Sequence, residues 1–219
     1  MKLYKYLKEV HAINMIENGR ILFSNLTKFK QIEHEARGDV MEGCHVDAPD
    51  HPVQIEIISN GQKICGQFSF RNSINDEKVF VFCVSRTFNL LLFDDFDADI
   101  CVEINDVDEL SRRCSRAIKK KIFIDKVGLL HGPVVYFEKN KDCGENILDG
   151  KRIPFLKSAY FRNQDEYRFV YSRTGGLRTK RRIMSTRRWE DFPDHLDGKP
   201  KSTVLEIGSL RDICCLRGR

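Results

Sequence analysis

Apolar and polar residues alternate at the start of the chain. Across Leu3-Tyr4-Lys5-Tyr6-Leu7, the residues Leu3, Lys5 and Leu7 share one face and Tyr4 and Tyr6 the other, which predicts a strand. Val10, Ile13 and Ile16 or Glu17 then trace one side of a short helix that Asn18-Gly19 stops. Arg20 to Ser24 reads as a second strand, and Thr27 is placed to cap a second helix running to Glu35 and ended by Gly38.

A hairpin follows. Val53, Ile55 and Ile57 alternate up to Ser59-Asn60-Gly61-Gln62, and Ile64, Gly66, Phe68 and Phe70 resume the pattern. Asn-Gly supplies the two positive φ angles of a type I′ turn, so antiparallel pairing is expected across it. Val79 to Ser85 and Ile100 to Ile104 read as buried strands. Asp106, with Glu109 three residues on, opens a helix whose apolar face is Val107, Leu110, Cys114, Ala117 and Ile118. Further strands are predicted at Lys121 to Asp125, Val134 to Glu138, Glu166 to Ser172 and Thr203 to Ile207.

Strands outnumber helices, the helices cluster early and mid-chain, and a hairpin is marked. The fold class is therefore α+β, with mixed or antiparallel sheets and a few short helices, in one domain spanning 1–219 with a basic loop region at about 173–202. The 219 residues suffice for a core, and 41% hydrophobic with 32% charged residues excludes wholesale disorder. The longest apolar stretches are too short to span a bilayer, and lysines and a glutamate interrupt MKLYKYLKEV where a signal peptide would be continuous. A cytoplasmic protein with no membrane partner is the expectation. Eight cysteines without an export signal or a C-x-x-C pair read as reduced thiols, with Cys83 and Cys101 in the core. Cys44-His45 with His51 is the nearest approach to a metal-ligand cluster, and no metal is expected.

Charge is unevenly placed around a net +5. Basic residues crowd Arg162 to Arg188, with Arg178, Lys180, Arg181, Arg182, Arg187 and Arg188 as candidate nucleic-acid contacts, whereas acids crowd Asp94 to Glu109. The bland alternative is a solvated loop. The dinucleotide-binding, P-loop, G-x-S-x-G, H-E-x-x-H and calcium-loop patterns are all absent. Two clusters could carry chemistry. On a strand from Glu166 to Tyr171, the residues Glu166, Arg168 and Val170 share a face while Tyr167, Phe169 and Tyr171 enter the core; a rigid polar site and a structural ion pair are the two readings. Arg37-Gly38-Asp39-Val40-Met41-Glu42-Gly43 is a tight turn able to present acids to a ligand, with His34 and Arg37 on one side of the preceding helix. His11 and His131 read as structural.

Five pieces occur in order: LYKY (Leu3 to Tyr6) with ILFSNLTKF (Ile21 to Phe29), RGDVMEG (Arg37 to Gly43), VFCVS (Val81 to Ser85) followed by ICVEI, DEYRFVY (Asp165 to Tyr171), and LEIGSLRD (Leu205 to Asp212). In these the chain resembles a widespread bacterial and phage family of uncharacterised domains. Its opening also resembles ADP-ribosyltransferase-like domains of the histidine-tyrosine-glutamate type. That resemblance implies split sheets and NAD as substrate, with Glu166 as the glutamate at the nicotinamide ribose. It places Tyr4 or Lys5 at the first-strand position, Ser24 on the second strand, and Arg37 and Arg168 beside the cofactor. The first-strand histidine is replaced, and a lysine binds phosphate without copying imidazole's hydrogen bonds. The implied function is NAD-dependent modification of a macromolecule such as nucleic acid, in bacterial or phage conflict. The other class of reading is a non-catalytic module binding nucleic acid or protein.

Overall fold

Alternation at the start of the chain does form a strand, and it becomes the hinge of the architecture. The computed structural model describes residues 1–32, 41–47, 51–57, 59–138, 149–179, 183–185 and 198–219. In chain order the first elements are β1 (Leu3–Leu7), α1 (Glu9–Asn18), β2 (Arg20–Asn25), α2 (Leu26–Lys30), β3 (Cys44–Asp47), β4 (Val53–Ile57), β5 (Gln62–Gly66) and β6 (Ser69–Ser73). The middle contains β7 (Val79–Ser85), α3 (Leu91–Asp95), β8 (Ile100–Ile104), α4 (Val107–Lys119), β9 (Ile124–Pro133) and β10 (Val135–Phe137). The last are β11 (Leu156–Ser158), β12 (Glu166–Arg173), β13 (Ile183–Ser185), β14 (Ser202–Glu206) and β15 (Cys214–Arg217). The fold is α+β, with one large antiparallel sheet, three small sheets and short helices. Among the described residues, no helix is long and apolar enough to cross a membrane.

The large sheet runs β14-β2-β7-β1-β8-β15, with β12 on the other edge of β7 and β9 beyond it. β12 pairs along the whole of β7, from Glu166 opposite Ser85 to Ser172 opposite Val79. The facing edge of β7 is shared: β2 takes Phe80 and Val81, and β1 takes Ser85. Between them, Phe82, Cys83 and Val84 lie where the two strands part, and the Lys5 ammonium donates to the Cys83 carbonyl at 2.8 Å. The side chain thus supplies a donor that a strand backbone would otherwise provide.

One face of the sheet buries Leu3, Phe23, Phe82, Tyr167, Phe169 and Tyr171 against α1 and α4. The other buries Val79, Val81 and Val170 with Leu26, Ile74 and Ile153. Because β12 is covered on both faces, the alternation expected of it resolves into two cores, with Tyr167, Phe169 and Tyr171 in the first and Val170 in the second.

Several local expectations are corrected. In α1 the buried residues are Ala12, Met15 and Ile16, while Val10 and Ile13 face solvent; the stop at Gly19, in the left-handed region at φ 60°, holds. Helix α2 is capped by Asn25, whose side chain accepts from the Lys28 amide at 3.1 Å, rather than by Thr27, which is already helical and buried. The helix ends at Lys30, with Gln31 as its C-cap, short of the predicted end at Glu35; Glu35 and Gly38 themselves lie outside the described residues. The β4–β5 hairpin is present, with Ile55 opposite Ile64, but Ile57 pairs with Gln62, so the loop is longer than a two-residue type I′ turn. Gly61 has positive φ whereas Asn60 does not; Asn60 instead accepts the Gln62 amide on its side chain at 3.0 Å. Phe70 belongs to β6, in a separate sheet with β3 and β13. Helix α4 is capped as expected, Asp106 accepting the Glu109 amide at 2.9 Å. Glu109 turns its own carboxylate to Arg112 and Arg113 instead of closing a capping box.

Candidate functional site

The parting of β1 and β2 opens a cavity of about 370 Å³ on the second face of the sheet. β1 and the start of α1 contribute Lys5, Lys8 and His11; β7 contributes Cys83 and Ser85; β12 contributes Glu166 and Arg168. Glu42, Lys157 and Gln164 complete the polar wall, and Phe29, Ile32 and Phe96 form its apolar sides.

At the floor is a buried quartet of charges. Arg168 Nε donates to Glu166 Oε1 at 2.7 Å, and its two terminal nitrogens grip Glu42 at 2.9 and 2.5 Å in a bidentate fork. A further donation reaches the Pro154 carbonyl at 2.6 Å. Lys157 Nζ donates to Glu166 Oε2 at 2.8 Å and to Gln164 Oε1 at 2.9 Å, and sits 4.5 Å from the centroid of the Phe161 ring. The backbone N–H of Glu166 donates to the Tyr136 hydroxyl at 2.8 Å. Arg168 is 1% exposed, Glu42 2% and Glu166 4%, so two cations and two anions cancel inside the protein.

These pairings set the protonation states. Burial pulls the Glu166 carboxyl upward, but Arg168 and Lys157 outweigh it and hold the group well below the usual carboxylate range. Burial opposes the charge on Arg168, and the two glutamates more than restore it. Lys157 is likewise raised, Glu166 overcoming its desolvation. The Cys83 thiol is pushed up by burial and then by the Glu166 charge, which keeps it protonated. Glu166 is therefore a permanent carboxylate at neutral pH.

The mouth carries separable charge. Lys8 bridges Asp97 at 2.8 Å and Asp99 at 3.2 Å in exposed pairs, and His11 is exposed beside it. Just behind Glu166, Asp165 adopts φ 41° and is held by Arg86 and by the Thr87 hydroxyl at 2.5 Å. This clamp fixes where β12 begins.

Of the residues named from the sequence, Lys5, Glu166 and Arg168 meet at one cavity. Tyr4 does not line it: its side chain leans on Phe88, with ring centroids 5.7 Å apart. Ser24 does not line it either, its hydroxyl being 2.9 Å from that of Ser202 on the paired β14. Ser24 is displaced because β2 pairs with β7 only at Phe80 and Val81, short of the cavity; Tyr4 is displaced because it projects from β1 on the face opposite Lys5. Arg178 is exposed in the turn after β12; Arg37, Lys180, Arg181, Arg182, Arg187 and Arg188 lie outside the described residues. The Cys44 thiol receives the Arg71 guanidinium at 3.3 Å, and no group of three metal-ligating side chains occurs among the described residues.

Sequence reasoning missed Lys157, took His11 as structural and Cys83 as core, and gave no role to Gln164 at the head of the Glu166 cluster. Lys157 follows Leu156 in a short strand with nothing to separate it from a surface lysine; only the parallel pairing of β11 with β10 brings it under Glu166. His131, read as structural, has a partner in the Tyr167 hydroxyl at 2.6 Å and stacks on Phe169. No family model, curated protein or solved structure matches this chain.

Proposed function

We propose that the cavity at the parting of the sheet binds NAD and that the protein is an ADP-ribosyltransferase-like enzyme acting on a macromolecule. The observation that carries the reading is Glu166, a carboxylate held ionised at the wall of a roughly 370 Å³ cavity. A fixed negative charge stabilises the cationic character that develops at an anomeric carbon when a glycosidic bond loosens. Lys5, Lys8 and His11 at the rim supply donors suited to a pyrophosphate, and Phe29, Ile32 and Phe96 supply apolar surface for a ring. In this reading Lys157 and Arg168 orient Glu166 and keep it charged, while Lys5 takes the place of the first-strand residue.

A second reading rests on a different observation. Both oxygens of Glu166 are already engaged, and Arg168 is almost fully enclosed. A quartet of this kind also serves purely to register β12 against the segments carrying Glu42 and Lys157, leaving the cavity as the pocket of a non-catalytic binding module.

The test is the melting temperature of the wild type, Lys5→Gln and Glu166→Gln with and without millimolar NAD, followed by nicotinamide release in the presence of RNA or DNA. The transferase reading expects a shift with NAD that weakens in Lys5→Gln, and release that Glu166→Gln abolishes while the variant remains folded. Absence of both shift and release would leave the binding module as the function.

A further inference from the structure

At the end of β12 remote from Glu166, the chain between α4 and β9 makes a tip that the cavity does not explain. Ile122 is 77% exposed and Phe123 is 75% exposed, side by side. Phe123 has φ 59°, a left-handed conformation that is rare for a bulky side chain and strains the backbone. The conformation is held from outside: the Phe123 carbonyl accepts the Thr174 amide at 2.9 Å and the Thr174 hydroxyl at 3.2 Å.

Cations ring the tip. Lys119 and Lys120 are exposed at the end of α4, Lys121 is half-buried, and Lys126 is exposed on β9. Across the Thr174 bridge stand the exposed Arg173, stacked 5.6 Å from the Phe80 ring centroid, and Lys78, which reaches the Thr174 carbonyl at 3.5 Å. Among the described residues, none of these lysines takes part in an ion pair. Asp125, two residues from Phe123, is engaged with backbone, accepting from Val127 at 3.2 Å and from Gly175 at 3.4 Å.

We propose that this tip is a binding site for single-stranded nucleic acid, with Phe123 as the stacking platform for a base and the surrounding lysines and Arg173 holding the phosphates. The arrangement joins the two components such binding uses, an aromatic face free to stack and a cationic track on both sides of it. Two apolar side chains are a small insertion area for a lipid surface, whereas one exposed ring is enough for one base. The left-handed backbone at Phe123 has a use here, because it projects the ring clear of the sheet. The site is independent of the cavity reading: Glu166 and Arg173 lie at opposite ends of the eight-residue β12, about 23 Å apart at strand rise.

The experiment is fluorescence anisotropy of the full chain with a labelled dT strand of about 20 nucleotides, as a function of salt, alongside sedimentation with phosphatidylserine vesicles. Phe123→Gly is expected to weaken strand binding about tenfold while leaving the melting temperature unchanged or higher, since glycine adopts positive φ without strain. Phe123→Tyr retains binding. Replacing Lys119 and Lys120 by Gln lowers the slope of log affinity against log salt by about 0.7 per lysine, where Phe123→Gly leaves it unchanged. No binding of the strand at about 50 mM salt, an affinity unaffected by Phe123→Gly, or association with vesicles but not with the strand would each overturn the proposal. Loss of binding in Phe123→Gly accompanied by a lower melting temperature would also overturn it, since the residue would then be structural.

Discussion

Arg168 and Glu42, 126 positions apart in sequence, form a two-pronged ion pair with both side chains about 2% exposed. The pair ties the turn at Met41–Gly43 to the middle of β12, and it continues through Glu166 to Lys157. Removing one member leaves charges stranded in a low-dielectric interior. Arg168→Met is therefore expected to destabilise the fold by about 3–5 kcal/mol. Urea denaturation checks the value, and adding Glu42→Gln should recover part of the loss, so that the two substitutions are not additive.

The quartet also sets the response to pH, with a sign for each partner. Glu166 titrates lower in the folded chain than in the unfolded one, so its contribution is present above the unfolded carboxylate pKa of 4.5 and is lost as pH falls through the lower folded value. Lys157 titrates higher when folded, so its contribution is present below 10.5 and is lost as pH rises through the folded value. Melting temperature should accordingly fall off below about pH 4.5 and above about pH 10.5. Glu166→Gln should show a shallower acid limb; an unchanged limb would place the acid sensitivity elsewhere.

Helix α1 offers a direct contrast between its two apolar faces. Met15 is 2% exposed in the main core, so Met15→Ala should cost about 2–5 kcal/mol. Ile13, turned to solvent, should tolerate Lys within about 0.5 kcal/mol. Guanidinium unfolding of the two variants measures both, and a costly Ile13→Lys would mean that this face is covered.

Gly19 ends the same helix at φ 60°, and a Cβ there would meet the Gly208 carbonyl oxygen at 1.9 Å. The Ile207 amide donates to the Gly19 carbonyl at 3.1 Å, so the two loops are fastened together. Gly19→Ala combines backbone strain of about 1–3 kcal/mol with a clash against main chain. It should lower the melting temperature more than Gly61→Ala, whose Cβ has open space at a similar φ.

Thiol reactivity should follow position rather than number. Cys65 and Cys215 are exposed, whereas Cys44, Cys101, Cys114 and Cys214 are buried. Among the described cysteines, peptide mapping after brief iodoacetamide treatment should find Cys65 and Cys215 modified first. Cys83, raised by burial, should react slowly although it lines the cavity, and more slowly still with a cavity ligand bound.

Much of the local structure was legible because it depends on near neighbours. Alternation marked β1 and β12, short apolar runs marked β7 and β8, the Asp106 cap marked α4, and Gly19 marked the end of α1, each through a pattern a few residues wide. Periodicity failed where apolar residues serve no core: in α1 the Val10–Ile13 stripe is exposed, and the small Ala12 makes the contact instead. Turn chemistry misled at Asn60-Gly61, since the dipeptide fits a longer loop as well as a type I′ turn.

At the site, the sequence alone determined the shared face of Glu166 and Arg168, because a strand's period of two leaves no other arrangement. It could not supply what those groups touch. That Glu42 takes the guanidinium, that Lys157 lies beneath the carboxylate, and that β1 and β2 part at Cys83 to leave a cavity are outcomes of long-range pairing. Coulomb and desolvation effects act over a few ångströms of space, whatever the separation along the chain. Only the tertiary structure therefore decided that Glu166 is a permanently charged carboxylate beside a cavity.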